Sequence, residues 1–449
     1  MLRPTNEGVR VSTTRKSTLA TVAGVSMALV LTACGGTAEE PADGAEAGGD
    51  STGGSGEEIT LTVATFNEFG YEDLLTEYED LNPGITVEAV KAATSQEARD
   101  KLNTSLAAGS GASDVEAVET DWWPELLQYA DKFEDLSSPD VEGRWLDWKT
   151  EQATTPDGKL VGYGTDIGPE GICYRSDLFA AAGLPTDREE VAALLEGDWE
   201  TYFEVGKQFA ATSDVPWFDS GSATYSTMVN QLAEPYETKD GTPKDLATND
   251  EIKAIYEQVI AASVDDGLSA HLNQWSDDWV GAFQTDGFAT MLCPGWMLGV
   301  IEGNAKGITG WDIADVFPGG GGNWGGSYLT VPQGSAHPEE AIALAAWLTA
   351  PEQQLKAFAA KGTFPSQKEA LESEELRSAV NPFFNDAPVG EILANRAAAI
   401  DIQPFKGPNY FTIHTAMTDA VVRVDVEQSA DAAASWDKAL QAYKELGLS

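Results

Sequence analysis

Ile59-Thr60-Leu61-Thr62-Val63 alternates apolar and polar residues, and Leu74, Leu75, Tyr78 and Leu81 follow at helical spacing before Asn82-Pro83-Gly84. Alternation with period two places every second side chain on one face and predicts a strand. Spacings of three and four predict a helix, and Asn-Pro-Gly ends it. Ile85, Val87 and Ala89 alternate again, and Ser95 is the expected N-cap of a second helix carrying Leu102 and Leu106. Val115 to Val118 reads as a third strand, opening into Glu119-Thr120-Asp121-Trp122-Trp123-Pro124. A β-α-β-α-β order predicts an α/β fold with a mostly parallel, doubly wound sheet, which gathers ligands at the carboxyl ends of its strands. Further along, His337-Pro338-Glu339 opens a helix with Leu344, Ala345 and Leu348. Thr349-Ala350-Pro351 starts another, and Ala430 to Leu446 reads as a closing helix.

Upstream of the first strand the sequence changes character. Arg10, Arg15 and Lys16 precede an apolar run from Leu19 to Leu31, too short to span a bilayer and of the length of a secretory signal. Leu31-Thr32-Ala33-Cys34 resembles a bacterial lipobox, which implies cleavage after residue 33, acylation of Cys34 with palmitate-type lipid, and a lipoprotein on the outer face of the cell membrane. Residues 34–58 are then the lipidated cysteine and a flexible acidic linker. Gly35 to Glu58 has no aromatic or branched aliphatic residue and cannot bury enough surface to offset its ordering entropy. Its typical reach is roughly 25–30 Å.

The chain carries 27 Lys and Arg against 73 Asp and Glu, a formal charge of −46. Removing the signal segment, with Arg3, Arg10, Arg15, Lys16 and Glu7, leaves about −49. Bulk electrostatics therefore argue against nucleic acid as a partner. All 13 Trp lie beyond the linker, a large supply of flat apolar surface. Apart from Cys34, the cysteines are Cys173 and Cys293, each in a strand-like run, Gly171–Tyr174 and Thr290–Cys293. In an oxidising compartment a disulfide between neighbouring strands is expected, with two buried free thiols as the alternative. His271, His337 and His414 are scattered, and no CxxC, HExxH, Gly-x-Ser-x-Gly or Gly-x4-Gly-Lys-Ser/Thr pattern occurs. No metal or cofactor is implied.

Five segments in order resemble the bacterial extracellular solute-binding proteins of the carbohydrate-uptake type (family 1), which serve ABC importers. They are Leu81–Val87; Leu106–Gly109 with Ser113-Asp114-Val115; Asp157–Asp166 running into Cys173–Phe179 and Ala182–Pro185; Phe288–Met291 with Pro294–Met297; and Gly325–Leu329 followed by Gly362–Ser366. The resemblance implies a two-lobed periplasmic-binding-protein-like fold (type II), with discontinuous lobes joined by hinge strands. The first lobe is placed at 59–166 and 317–352, the second at 167–316 and 353–449. Crossings are expected near Asp166, Phe317-Pro318 and Pro351, with hinge glycines Gly319 to Gly322. The resemblance also implies a monomeric sugar receptor that closes on its ligand and docks on permease subunits. It implies no enzyme activity. The alternatives are a receptor for another solute, a peptide above all, and a secreted glycosidase, for which 73 acids always supply some carboxylate pair.

A sugar offers C–H faces and a rim of hydroxyls, so its site needs aromatic platforms and paired hydrogen-bonding groups. The loop after the first strand supplies Asn67 and Glu68, and the loop after the third supplies Asp121 and Trp122. Family correspondence places Asp166 at the hinge, Trp296 and Tyr410 on the second-lobe wall, and Tyr225 in a loop that often supplies a ring. Gly320-x-Gly322-x-x-Gly325 matches a dinucleotide fingerprint by letter, but Ser327–Val331 after it reads as a strand and no βαβ unit opens there. Instead, the amides of Gly325 and Gly326 are expected to donate to hydroxyls, with Trp324 stacking.

Overall fold

β1 (Ile59–Phe66) forms where the alternation predicts it and runs three residues past Val63. The computed structural model describes residues 58–448, so the expected signal peptide, Cys34 and almost all of the linker lie outside the described residues. Leu61, Val63 and Phe66 point into the core while Thr60 faces solvent. β2 (Ile85–Ala92) and β3 (Val115–Glu119) flank β1, both parallel to it. The helix Glu72–Leu81 makes the first crossover and buries Leu74, Leu75 and Tyr78. The helix Ser95–Ala108 makes the second. Its N-cap is Thr94, whose hydroxyl accepts from the Glu97 amide at 3.2 Å, so the cap lies one residue before the expected Ser95.

The remaining strands are β4 (Tyr163–Gly164), β5 (Asp166–Ile167), β6 (Glu170–Arg175), β7 (Thr290–Pro294), β8 (Trp311–Ala314), β9 (Ser327–Thr330) and β10 (Phe364–Pro365). The first-lobe sheet has the order β2-β1-β3-β9-β4, and β9 is antiparallel to both neighbours. The expectation of a mostly parallel sheet therefore holds for β1 to β3 only. β9 arrives from the other lobe, so no local crossover helix obliges it to run parallel. The second-lobe sheet, β7-β6-β8, is antiparallel throughout.

Both faces of the second-lobe sheet are covered. Ile172, Tyr174, Leu292 and Ala314 enter one apolar cluster, while Cys173, Met291, Cys293 and Ile313, the alternate residues, enter another. Period-two geometry thus converts uninterrupted buried runs into two cores. Cys173 and Cys293 lie on one face, diagonal across the β6–β7 pair, and are disulfide-bonded with Cα atoms 5.5 Å apart. The first lobe has its own cluster around β1 to β3, closed by Ala341, Leu344, Ala345 and Leu348 of the helix Pro338–Leu348.

Three segments pass between the lobes. β5 pairs with β10. Phe317 is packed in the second-lobe core and Ser327 begins β9, so the second crossing runs through Pro318–Gly326. The helix Pro351–Lys361 places Ala357 in the first-lobe cluster and Phe358 in a second-lobe cluster.

Candidate functional site

Parallel pairing of β1, β2 and β3 brings their carboxyl ends to one edge, and the loops leaving them build one wall of a cavity of about 410 Å³. Phe66 ends β1, and Asn67, Glu68 and Phe69 follow it; after β2 come Thr94, Ser95 and Gln96; after β3 come Asp121 and Trp122, with Glu119 at the strand end. The crossings form the floor with Asp166, Trp324 to Ser327 and Thr363. The second lobe closes the far side with Ser226, Asn230, Trp275, Trp296, Phe411 and His414. Among the described residues lining the cavity there is no Lys or Arg.

Two crossing segments meet at the floor through glycines. A Cβ at Gly168 would lie 1.9 Å from the Trp324 carbonyl oxygen, and one at Gly326 would lie 2.6 Å from that of Asp166. Gly326 also has φ +102°, a left-handed backbone that side chains rarely adopt. The Gly168 amide donates to Asn323 Oδ1 at 2.9 Å and the Trp324 amide to the Gly168 carbonyl at 2.8 Å. Asp166 Oδ1 accepts from Thr165 Oγ1 and from the Ser327 amide, at 2.7 and 2.9 Å. Burial raises its carboxyl above the usual range, against the opposing charge of Lys149. Lys149 itself is buried under the floor, its Nζ 3.9 Å from the Tyr328 ring centroid, and desolvation brings it down to about 8 despite Asp166, Glu119 and Asp121.

The first-lobe wall is charged. Asn67 has φ +49°, and its Oδ1 is buried with no hydrogen-bond partner among the described residues. Burial tends to raise Glu68, but Lys91 and Lys361 outweigh it and hold the carboxylate below its ordinary value. Asp121 is ion-paired with Lys406, which reaches over from the second lobe. Glu119 accepts from the Asp121 amide at 2.9 Å. Desolvation, with Asp121 adding, pushes it up to about 8 against Lys406 and Lys149.

The second-lobe wall is aromatic. Trp275 and Trp296 stack with centroids 6.1 Å apart at 22°, and Trp324 meets Trp296 edge-on at 5.8 Å. Trp296 Nε1 donates to the Trp324 carbonyl at 2.9 Å, so its indole N–H is committed within the protein. Trp275 has φ +71°, strained for a bulky residue, and is 36% exposed. The sequence reading passed over it. Its signal is its place immediately before Ser276, the N-cap of the helix Asp277–Ala282. Phe69, Phe411, Ser226 and His414 were passed over as well, and nothing in their local pattern separates them from core residues.

Nine of the proposed contacts line the cavity: Asn67, Glu68, Asp121, Trp122, Asp166, Trp296, Trp324, Gly325 and Gly326. Trp122 is 2% exposed and packs on Phe66 at 5.4 Å, more backing than platform. Tyr225 and Tyr410 are not on the cavity: both are fully buried in the second-lobe core. The reason is helical geometry. Successive residues on a helix diverge by about 100°, so Ser226 and Phe411 face the cavity where Tyr225 and Tyr410 face inward.

A family model described as "Bacterial extracellular solute-binding protein" matches residues 73–384. A solved structure described as an extracellular solute-binding protein of family 1 is 52% identical, with 86% of this chain and 99% of that chain covered and a TM-score of 0.75. The ABC transporter associated binding protein of B. animalis subsp. lactis Bl-04, in complex with β-1,6-galactobiose, is 22% identical over 87% of this chain and 99% of that one, with a TM-score of 0.74. The galacto-N-biose/lacto-N-biose I-binding protein of the ABC transporter from Bifidobacterium longum, in complex with lacto-N-biose, is 17% identical over 87% and 97%, with a TM-score of 0.68. No curated protein matches the sequence.

Proposed function

The chain belongs to the bacterial extracellular solute-binding proteins, and we propose that its cleft captures a neutral di- or oligosaccharide and delivers it to the permease of an ABC importer. The observation that carries this reading is the composition of the cavity. It joins stacked indoles on one side with the polar side chains of Asn67, Glu68 and Asp121 on the other, and no cation among the described lining residues would recognise an anionic solute. Aromatic faces match sugar C–H faces, and carboxylates and amides match hydroxyls. The sugars bound by the two structurally similar receptors support the same class.

The same reading takes the protein as a monomeric receptor without catalytic activity. It is processed before Cys34, tethered there by lipid outside the cytoplasm, with two discontinuous lobes near the boundaries given above. Asn67, Asp121, Asp166, Trp296, Trp324 and the Gly325-Gly326 amides are its ligand contacts, joined by Trp275. Intrinsic tryptophan fluorescence of the purified protein, titrated with neutral, anionic and amino sugars and with peptides, tests it. Saturable binding of a neutral oligosaccharide recovered intact is expected. Cleaved product would make the protein a glycosidase, and a response to peptides alone would overturn the sugar assignment.

A further inference from the structure

The helix Gly221–Val229 turns Ser226 toward the cavity and Tyr225 into the core, and both join one hydrogen-bonded chain through His414. The Tyr225 and Tyr236 hydroxyls are 2.9 Å apart, Tyr236 Oη is 3.0 Å from His414 Nδ1, and His414 Nε2 is 3.0 Å from Ser226 Oγ. Ser226 Oγ donates to the Ser222 carbonyl at 3.0 Å. Tyr410 and Tyr225 lie nearly parallel to the imidazole, at 5.4 and 5.9 Å, so ring stacking fixes its plane.

Only one direction of this chain satisfies every buried proton. If Ser226 donated to His414, the protons would point inward to Tyr225, whose hydroxyl would then have no acceptor among the described residues. An unmatched buried donor is costly. In the opposite sense Tyr225 donates to Tyr236, Tyr236 to Nδ1, Nε2–H to Ser226, and Ser226 to the Ser222 carbonyl. Each donor has a partner. Ser226 Oγ then has one lone pair taken by His414 and one left, on a side chain that lines the cavity. The imidazole must be neutral for this, and burial, aided by Lys406 and opposed by Asp121, lowers His414 to about 4.

We propose that Ser226 Oγ is a dedicated hydrogen-bond acceptor for a ligand hydroxyl, oriented by the one-way chain Tyr225–Tyr236–His414, which holds His414 as its Nε2–H tautomer. The inference rests on the saccharide reading and adds a specificity element to it: the bound sugar must present a donor at this point, so a deoxy or O-methyl sugar is rejected there. Ser226 is the contact, and Tyr236 and His414 are positioning residues.

Two measurements test it separately. Imidazole ¹⁵N spectra of the full chain carrying His271→Asn and His337→Asn, with His414 as its remaining histidine, are expected to show the Nε2–H form from pH 5 to 8. The Nδ1–H tautomer or an imidazolium at pH 7 would overturn the chain. Calorimetric titrations with maltose, β-1,6-galactobiose and lacto-N-biose then compare wild type with Ser226→Ala and Tyr236→Phe, with circular dichroism checking the fold. For whichever sugar binds, Ser226→Ala is expected to weaken binding about tenfold or more, since the ligand hydroxyl is left without its acceptor. Tyr236→Phe is expected to weaken it less and to mix the tautomers. Affinity within twofold of wild type for Ser226→Ala would overturn the contact while leaving the saccharide reading intact. Silence of wild type toward all three sugars, with the Nε2–H form present, would count against the saccharide and retain the acceptor for another donor-bearing solute.

Discussion

On the first-lobe wall the polar groups are charged and tied to cations, Glu68 to Lys91 and Lys361, Asp121 to Lys406. On the second-lobe wall they are neutral and tied to one another, Ser226 to His414 to Tyr236, beside a stacked indole pair. Two of the charged ties reach the first lobe from elsewhere, Lys361 from the helix shared by the lobes and Lys406 from the second lobe. The charged wall therefore depends on ties from outside the first lobe. The neutral wall is anchored within the second lobe, Tyr225, Tyr236 and Tyr410 in one core cluster and Trp296 packed against the cluster that holds the Cys173–Cys293 bond. Ionic contacts respond to salt and pH, whereas stacked rings and buried neutral hydrogen bonds respond weakly to either.

That contrast can be broken at several levels. The largest effect concerns the second lobe alone. Reducing Cys173–Cys293, which are 120 residues apart, is expected to cost about 5 kcal/mol. Calorimetric melting with and without reductant measures it, and an unchanged Tm with both thiols shown to be free would remove the staple from the comparison. Next, Trp296→Ala or Trp275→Ala is expected to weaken sugar binding by about 2 kcal/mol, roughly thirtyfold, with the salt dependence unchanged. A loss that varied with ionic strength would mean the aromatic wall is not independent of the charged one.

Lys406→Met should cost about 1–2 kcal/mol of binding, because it leaves Asp121 enclosed without its partner, and it should remove part of the salt dependence. X-ray scattering with sugar present should show a more open particle; wild-type affinity and radius would deny the pair a role in closure.

Smaller effects follow the buried ionisable groups. Glu119 and Glu170 are pushed up to about 8 by burial. Between their unfolded values and pH 8 the folded state holds protons that the unfolded state has released, so stability falls as pH rises through that window. Glu119→Gln should flatten the slope of Tm against pH, and an unaltered slope would show that Glu119 titrates normally. His271, raised by its hydrogen bond to Asp425, works in the same direction. Its contribution is full below about pH 6.5 and is lost as pH climbs through the higher folded value. Being half-exposed, it is worth under about 1 kcal/mol, and a Tm of His271→Asn that differs from wild type at pH 5.5 but converges at high pH would match.

The elements were readable because they follow from neighbours in sequence. Alternation at Ile59–Val63 and the Asn82-Pro83-Gly84 stop specify β1 and the first helix through local sterics and burial. The loops after β1 and β3 could be named as site loops, because parallel strands send their carboxyl ends to one edge. The antiparallel β9 was not readable, since its direction depends on a return from the other lobe.

The residue pattern by itself determined the opening β-α-β-α-β unit and the loops that supply Asn67, Glu68, Asp121 and Trp122, and it placed Cys173 and Cys293 in strand-like runs; two lobes followed from the family resemblance. Tertiary structure alone decided which helix residue meets the cavity. A turn of about 100° per residue separates Ser226 from Tyr225, and only the packing of the surrounding core selects between them. It also decided that Asp121 meets Lys406, 285 residues away, and that Trp275 takes a strained backbone to stack on Trp296. Those choices depend on contacts between segments far apart in the chain, whose relative placement no local pattern encodes.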